Sequence, residues 1–145
     1  MASVVTFELI TPEGLKIQEE VYELLLPTPN GQIGILPNHM PLISIVTPGV
    51  ISIRRRQEDT DQALEHLATS GGFLEVDDKK VRLLADSAER AEDIDELKAQ
   101  QALEKAKEMQ KTAKDQVSLA EATSIIEQST ARLRVAELKK RRRRQ

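Results

Sequence analysis

The chain has 145 residues, 39% of them hydrophobic and 31% charged, and its 21 basic and 24 acidic side chains give a net charge of −3. This length suits one ordinary domain or a small domain with an appendage, and the apolar content is too high for a disordered chain. Because the sequence contains no cysteine, disulfides and thiolate metal sites are excluded, which fits a reducing compartment.

Roughly the first 88 residues predict β-strands, because apolar and polar residues alternate over short segments separated by turn residues. Val5, Phe7 and Leu9 share one face of the first strand, and residues 11–14 (TPEG) predict the turn that follows it. The other predicted strand segments are residues 15–26, 33–36, 42–46, 50–53, 64–68, 73–76 and 81–85. Many short strands separated by Gly and Pro favour a sandwich or a barrel.

No apolar run approaches the roughly 20 residues of a membrane-spanning helix. The first residues also lack the basic segment and apolar core of an export signal. We therefore expect a soluble, cytoplasmic protein.

The hydrophobic period changes near Asp93, which is predicted to cap a helix together with Glu96. A second capping box, Ser118 with Glu121, predicts another helix, and a polar connection near residue 114 predicts an antiparallel hairpin. The predicted contact stripes consist largely of small residues: Ala99, Ala102, Ala106, Met109 and Ala113, and then Leu119, Ala122, Ile126, Ser129, Leu133 and Ala136. Alanine faces bury little apolar surface, so this hairpin could open and pack on a partner. The alternatives are a permanently closed hairpin or a dimeric coiled coil.

Charge is distributed unevenly between the two predicted parts. Residues 1–90 carry 8 basic and 14 acidic side chains, whereas residues 91–145 carry 13 basic and 10 acidic ones, with an unbroken basic run at 139–144. Such a run is usually a solvated tail, and the alternative is a surface for an acidic partner.

The sequence offers little from which to build a catalytic site. His39 and His66 are its only imidazoles and form no metal-ligand spacing, Ser70 lacks the glycine that precedes the nucleophile in a nucleophile elbow, and no GxxxxGK[ST] loop occurs. We therefore expect a protein that is not an enzyme and has no metal.

A nucleic-acid-binding β domain with a basic tail is the main competing interpretation. Base stacking requires exposed aromatic rings, and the only aromatic residues are Phe7, Tyr22 and Phe73, of which both phenylalanines lie in apolar strand contexts. The acidic first part would also repel phosphates. We therefore expect no nucleic-acid partner.

Four segments, in order and at matching spacing, resemble ATP synthase epsilon subunits. They are GQIGILPNHMPL at 31–42, SGGFLEV at 70–76, LAD at 84–86 and RLRVAEL at 132–138. The resemblance covers nearly the whole chain. It implies a β-sandwich of about ten strands at 1–90 and a mobile antiparallel two-helix hairpin at 91–145.

The resemblance also implies a noncatalytic rotor subunit of a proton-translocating ATP synthase. Its sandwich would bind the gamma subunit and the ring of c subunits through residues Asn30, Gly31, Gln32, Ile33 and His39. The released hairpin would inhibit ATP hydrolysis by contacting the alpha and beta subunits through Arg132, Arg134, Lys139 and Lys140. The subunit would lie on the cytoplasmic face of a bacterial membrane or the stromal face of a thylakoid, attached only through the complex.

Some members of the family bind ATP at the base of the hairpin through an [IL]DxxRA motif and further arginines. Here Glu89, Asp95 and Arg132 match that pattern, but Lys98 occupies an arginine position and Gln128 supplies no charge. An ammonium group cannot make the bidentate contact of a guanidinium. The resemblance therefore implies no cofactor, with ATP as at most a weak regulatory ligand.

Overall fold

The computed structural model describes residues 3–144, which form ten strands and two helices. The strands are β1 (Val5–Thr11), β2 (Gly14–Val21), β3 (Glu23–Thr28), β4 (Gly31–Ile35), β5 (Leu42–Val46), β6 (Gly49–Arg54), β7 (Glu65–Thr69), β8 (Gly72–Val76), β9 (Lys80–Ala85) and β10 (Ala88–Arg90). The helices are α1 (Glu96–Thr112) and α2 (Gln116–Arg144). The predicted β-sandwich followed by a helical hairpin is confirmed.

The strands form two five-stranded sheets. The front sheet has the order β2-β1-β9-β8-β5, and the back sheet has the order β10-β7-β6-β3-β4. Neighbouring strands pair antiparallel except β1 and β9, which run parallel over residues 6–10 and 80–84. The parallel pair places β1 between β2 and β9 in the front sheet, so the sheet cannot be completed until residue 85 has been reached.

The core lies between the two sheets and follows from alternation along each strand. In the front sheet Phe7, Leu9 and Leu83 point inward and are almost fully buried. From the back sheet Leu24 and Ile53 meet them, and both are completely buried. Fully burying one such side chain stabilises the fold by about 1.5–3 kcal/mol, so the sandwich carries the main stabilising core of the chain.

Two adjacent glycines at the start of β8, Gly71 and Gly72, are required by close backbone approach. Gly71 has a φ of +90°, a conformation that side-chain-bearing residues rarely adopt. A Cβ atom at Gly72 would overlap the carbonyl oxygen of Leu84 on the neighbouring strand. The SGG segment is therefore explained by packing of β8 against β9, without a catalytic role.

A half-buried ionic network joins the two sheets at one side of the sandwich. Arg55 donates to Glu19 of the front sheet at 2.7 Å and to Glu65 of the back sheet at 2.8 Å. Arg90 donates to the same Glu19 at 2.7 Å and lies 3.6 Å from Glu65. Two guanidiniums shared by two carboxylates therefore tie β2 to β7 and to β10, the strand that precedes the helices.

The sequence-based boundaries need correction at both helix starts. Asp95, and not Asp93, caps α1, since its carboxylate accepts from the Lys98 N–H at 3.1 Å; Asp93 belongs to a short 3-10 turn. Asp115, and not Ser118, caps α2, with its carboxylate accepting from the Ser118 N–H at 2.7 Å. In each case the true cap is an aspartate within three positions of the predicted one. Each of these aspartates accepts a hydrogen bond from the backbone N–H three residues later.

Two further differences concern strands. The single strand region predicted for 15–26 is divided at Tyr22 into β2 and β3, which belong to different sheets. The strand β10 was not predicted, because its three residues show no alternation that distinguishes them from a loop.

Candidate functional site

The outer face of the front sheet carries a continuous row of apolar side chains. Ile45 pairs with Phe73, Phe73 with Leu84, and Leu84 with Ile10, so one residue from each of β5, β8, β9 and β1 lies in line. Phe73 is 60% exposed, Ile45 55% and Leu84 44%. We call these four residues the apolar row. Contiguous exposed apolar surface of this kind marks an interaction site more often than scattered apolar residues do.

The exposure of Phe73 corrects one step of the sequence argument. Phe7 lies in the core, as its apolar strand context indicates, but Phe73 points to solvent on the same face as Glu75. The sequence signal was the alternation in GFLEV, because Leu74 and Val76 are the buried pair. Sequence alone does not give the register that places three more apolar side chains beside this ring.

The segment between β4 and β5, residues 36–41, directly precedes the strand that contributes Ile45 to the apolar row. Asn38 takes a left-handed φ of 65°, and the His39 ring contacts the Met40 carbonyl oxygen through Nδ1 at 2.6 Å. Met40 is 73% exposed and Ile43, two residues before Ile45, is 79% exposed. His39 is thus held in a turn, while the apolar surface continues through its neighbours.

The predicted partner residues before this segment lie at the β3–β4 turn. Asn30, Gly31 and Gln32 are exposed and Ile33 is half-buried. The Thr28 hydroxyl donates to the Gly31 carbonyl oxygen at 2.5 Å and accepts from the Asn30 N–H at 3.3 Å. Gly31 has a φ of +116°, which the tight turn requires. The turn is well defined and accessible, and its contact with a partner stays a prediction.

The hairpin is docked on the back sheet, and ion pairs join the two. Arg132 of α2 lies 2.7 Å from Glu89 of β10, and Lys139 lies 2.7 Å from Glu92 of the 3-10 turn that precedes α1. Within the hairpin, Lys140 lies 2.8 Å from Glu96 of α1. Three of the four basic residues predicted to contact the alpha and beta subunits are therefore paired within this chain in the docked form.

A small apolar cluster lies beneath these ion pairs. Val135 is fully buried and packs with Ala131 of the same helix and Ala68 of β7. Val50, Ala91 and Ile94 add partly buried contacts. This cluster is separate from the sandwich core and has three buried members, of which Val135 alone is fully buried. The contact of α2 with the sheet thus involves none of the buried residues of the main core.

The helix–helix contact consists of the predicted small residues. Ala99 and Ala106 of α1 and Ala122, Ser129 and Ala136 of α2 are buried. The other stripe residues are partly exposed, including Leu119 at 38% exposure. The prediction of a thin seam is confirmed.

The residues predicted for weak ATP binding are only partly brought together. Glu89 and Arg132 form an ion pair, and the cavity that they line with Gln128 has a volume of only about 10 Å³. Asp95 and Lys98 lie one turn apart at the exposed start of α1, where Asp95 acts as the cap. ATP binding at these residues stays a prediction, and in the docked form it would require the Glu89–Arg132 pair to separate.

A larger cavity of about 390 Å³ lies farther along α2, and His66 forms part of its wall. His66 Nδ1 lies 2.9 Å from the Ser52 hydroxyl oxygen on the neighbouring strand. Burial is the main cause that lowers the pKa of His66 below its ordinary value of 6.5, and the positive charges of Arg142 and Arg134 lower it further. His66 is therefore neutral near pH 7 in the docked form.

Acidification is expected to weaken docking of α2, because the proton on His66 would face Arg134 and Arg142. A lowered histidine pKa means that the undocked or unfolded state takes up the proton first, so stability falls as the pH drops below about 6.5. The carboxylates of Glu65 and Glu92, held below their ordinary pKa of 4.5 by Arg55 and by Lys139 respectively, act in a separate window below that value.

The expected loss is below about 1 kcal/mol between about pH 7.5 and pH 5.5, since one pKa unit corresponds to about 1.4 kcal/mol and this group is only half-buried. Denaturant unfolding at several pH values measures it. We expect His66→Gln to flatten the profile in this window and His39→Gln to leave it unchanged. Equal profiles for the native chain and His66→Gln would contradict the assignment.

Two negative findings hold for residues 3–144. None of the helices described there has the length and apolar character needed to cross a bilayer. Over the same residues, no group of three or more His, Asp or Glu side chains is arranged to hold a metal ion.

The chain is similar to ATP synthase proteins over most of its length. The family model described as "ATP synthase, Delta/Epsilon chain, beta-sandwich domain" matches residues 4–91. Proteins named ATP synthase epsilon chain from Desulfitobacterium hafniense (strain Y51) and Moorella thermoacetica are each 40% identical over 136 residues, which is 94% of this chain and 98% of each relative. One from Chloroflexus aggregans is 38% identical over 138 residues, 95% of this chain and 96% of the relative.

Solved structures share the fold. A chain in the structure of the Euglena gracilis mitochondrial ATP synthase, comprising OSCP, F1 and the c-ring, matches with a TM-score of 0.76 at 22% identity, covering 94% of this chain and 83% of that chain. A chain in the Tetrahymena thermophila central stalk and c-ring structure matches with a TM-score of 0.58 at 14% identity, covering 89% and 96%. With the family model covering the sandwich and the relatives covering the hairpin as well, this chain belongs to the family of ATP synthase epsilon chains.

Proposed function

We propose that the chain is a noncatalytic rotor subunit of the central stalk, which couples proton flow through the c ring to ATP synthesis in the alpha and beta hexamer. The observation that carries this proposal is the exposed apolar row on the front sheet. Membership of the family indicates the complex to which the chain belongs, and the apolar row is the surface by which a noncatalytic subunit would be held in that complex.

The apolar row is proposed to dock on the gamma subunit. A stable interface buries about 800 Å² on each partner, and its centre is apolar with a polar rim. The row provides such a centre, which Ile43 and Met40 extend toward His39. Glu75 and Arg82, which lie opposite each other in the register of β8 and β9 and on the same face as the row, supply polar groups beside it. The front sheet is free for this contact because the hairpin covers the back sheet.

The β3–β4 turn is proposed to contact the c ring. Its exposed residues are polar or lack a side chain, and its geometry is fixed by the Thr28 hydroxyl. A preformed turn loses little conformational entropy when it binds. The subunit would then be attached to the cytoplasmic face of a bacterial membrane, or to the stromal face of a thylakoid, through the complex alone.

The hairpin is proposed to restrain ATP hydrolysis after it leaves the back sheet. Release from the back sheet frees Arg132 from Glu89 and Lys139 from Glu92, and separation of α2 from α1 frees Lys140 from Glu96. These cations and Arg134 then become available for acidic surfaces of the alpha and beta subunits. The docked form thus competes with the inhibitory form for the same cations. ATP at Glu89, Asp95, Lys98 and Arg132 is retained as a proposed weak regulator of this equilibrium.

Isolation of the tagged full chain from native membranes tests the proposal. We expect gamma, alpha and beta subunits to copurify, and the complex reassembled with a chain ending after residue 90 to hydrolyse ATP several-fold faster than the complex with the full chain. Reassembly with the full chain provides the matched control. Recovery of RNA without any ATPase subunit would refute the assignment to the complex, and equal hydrolysis rates would refute the inhibitory role alone.

A further inference from the structure

From the cavity between β7 and the end of α2 we infer that the docked subunit binds a small organic phosphate, with the phosphate group against Arg142 and Arg143. This cavity is distinct from the residues predicted for ATP. Its binding is a property of the chain in its docked form and does not depend on the proposed role in the rotor.

The cavity has the size and the floor of a small-molecule site. Its volume of about 390 Å³ falls within the range of about 300–1,000 Å³ typical of ligand pockets. Leu64, Leu67, Ala91 and Val135 supply its apolar surface. A ligand with an apolar or aromatic portion would bury this apolar surface, whereas inorganic phosphate would leave the surface exposed to water.

The cavity is lined by more basic than acidic side chains, and its acidic ones are already paired. Glu65 is held by Arg55 at 2.8 Å and lies 3.6 Å from Arg90, and Glu92 is held by Lys139 at 2.7 Å. Both carboxylates of the lining are thus already paired. The negative charges of Glu65 and Glu92 reduce the positive electrostatic potential of the cavity, because a bound phosphate group would be repelled by both carboxylates.

Two guanidiniums remain for a ligand. Arg142 and Arg143 line the cavity, and within residues 3–144 neither has a carboxylate within 4 Å. Their neighbour Arg141 is paired with Glu137 of the same helix at 2.6 Å. A guanidinium presents a planar pair of donors that matches phosphate oxygens, which is why arginine is preferred over lysine for such groups.

Complementarity to the helix dipole is the simplest competing reason for arginines at the end of α2. Cations in the last turn are stabilising by about 0.3–1 kcal/mol wherever they point. That explanation applies equally to all four arginines from 141 to 144, whereas only Arg142 and Arg143 line the cavity. The two explanations therefore predict different results for substitutions within one short segment.

Ligand binding would act on the position of the hairpin. The cavity wall includes Glu65, His66 and Leu67 of β7 together with Val135 of α2, so a bound molecule contacts both sides of the docking interface. A ligand that binds only the docked form stabilises that form by mass action. An organic phosphate would thereby hold the hairpin on the back sheet.

Titration of the isolated full chain with naphthyl phosphate tests the inference, using the imidazole resonances as the readout. His66 lies in the cavity wall and His39 lies in the loop after β4, so the only two histidines serve as probe and internal control. We expect the His66 resonance to shift with saturation and the His39 resonance to stay in place. Naphthol and inorganic phosphate at the same concentration should each shift His66 less.

The double variant Arg142→Gln with Arg143→Gln should bind at least about tenfold more weakly, because two charge-assisted contacts are lost. The matched variant Arg141→Gln with Arg144→Gln removes the same charge from the same turns and should bind within about twofold of the native chain. Circular dichroism checks that α2 persists in both. Equal weakening by both variants, or a native chain whose His66 resonance does not move at millimolar ligand, would overturn the inference without affecting the assignment to the rotor.

Discussion

Phe73→Glu is expected to weaken binding of the gamma subunit at least about 100-fold while leaving the sandwich folded. Burial of a phenylalanine in an interface contributes about 1.5–3 kcal/mol, and the substitution also places a charge at the centre of the apolar row; each 1.4 kcal/mol changes the affinity tenfold. Since Phe73 is 60% exposed, the free subunit tolerates glutamate there. Recovery of gamma on the immobilised full chain, with thermal unfolding of each variant, measures both effects.

Val117→Glu is the matched control for this experiment. Val117 is 79% exposed at the tip of the hairpin, so the same chemical change is made far along the chain from the apolar row. We expect it to leave gamma binding within about twofold. If Phe73→Glu and Val117→Glu retain gamma equally well, the front sheet is not the docking face and the observation that carries the proposed function is removed.

Val135→Glu is expected to release α2 from the back sheet without unfolding the sandwich. Val135 is completely buried against Ala68 and Ala131, and removing a carboxylate from water at this position, even beside the arginines of the cavity, costs more than the small cluster can supply. Undocking is the less costly response, because the sandwich core is a separate cluster. Amide hydrogen exchange in the second half of α2 should accelerate at least about tenfold, while exchange in β1, β8 and β9 stays slow.

Thr130→Glu provides the control, since it adds the same charge to an exposed position of the same helix. We expect its exchange pattern to match that of the native chain. In the reassembled complex, Val135→Glu should inhibit ATP hydrolysis more strongly than the native chain does, whereas Thr130→Glu should not. Release of α2 with unchanged hydrolysis would show that the free hairpin is not inhibitory.

Salt is a less decisive probe of the hairpin than these substitutions. Exposed ion pairs contribute about 0–1 kcal/mol each and are screened at physiological ionic strength. The pairs Arg132–Glu89 and Lys139–Glu92 hold α2 in the docked form, and Lys140–Glu96 holds the two helices together. The same cations are proposed to hold the inhibitory form. Added salt therefore weakens both states, and its net effect on inhibition depends on which state loses more.

Most of the architecture followed from local patterns in the sequence. Alternation of apolar residues located seven strand segments to within a few residues of β4 through β9 and β1, and the loss of Gly and Pro after residue 90 located the helical part. Small-residue stripes predicted a thin helix–helix seam, and the buried residues Ala99, Ala106 and Ala122 confirm it. These signals are local, because strand and helix periods repeat within ten or so residues. The family, too, was indicated by contiguous segments.

Only the tertiary structure decided which surfaces are free and which charges are paired. The apolar row joins residues 10, 45, 73 and 84 through strand register, including a parallel pair that no local pattern specifies. Lys139 meets Glu92 across 47 positions of the chain. The cavity at Arg142 exists only where α2 lies against β7. Sequence periodicity states which face of an element is apolar, but contacts between distant elements depend on how whole sheets and helices pack, and that packing determines the sites of this protein.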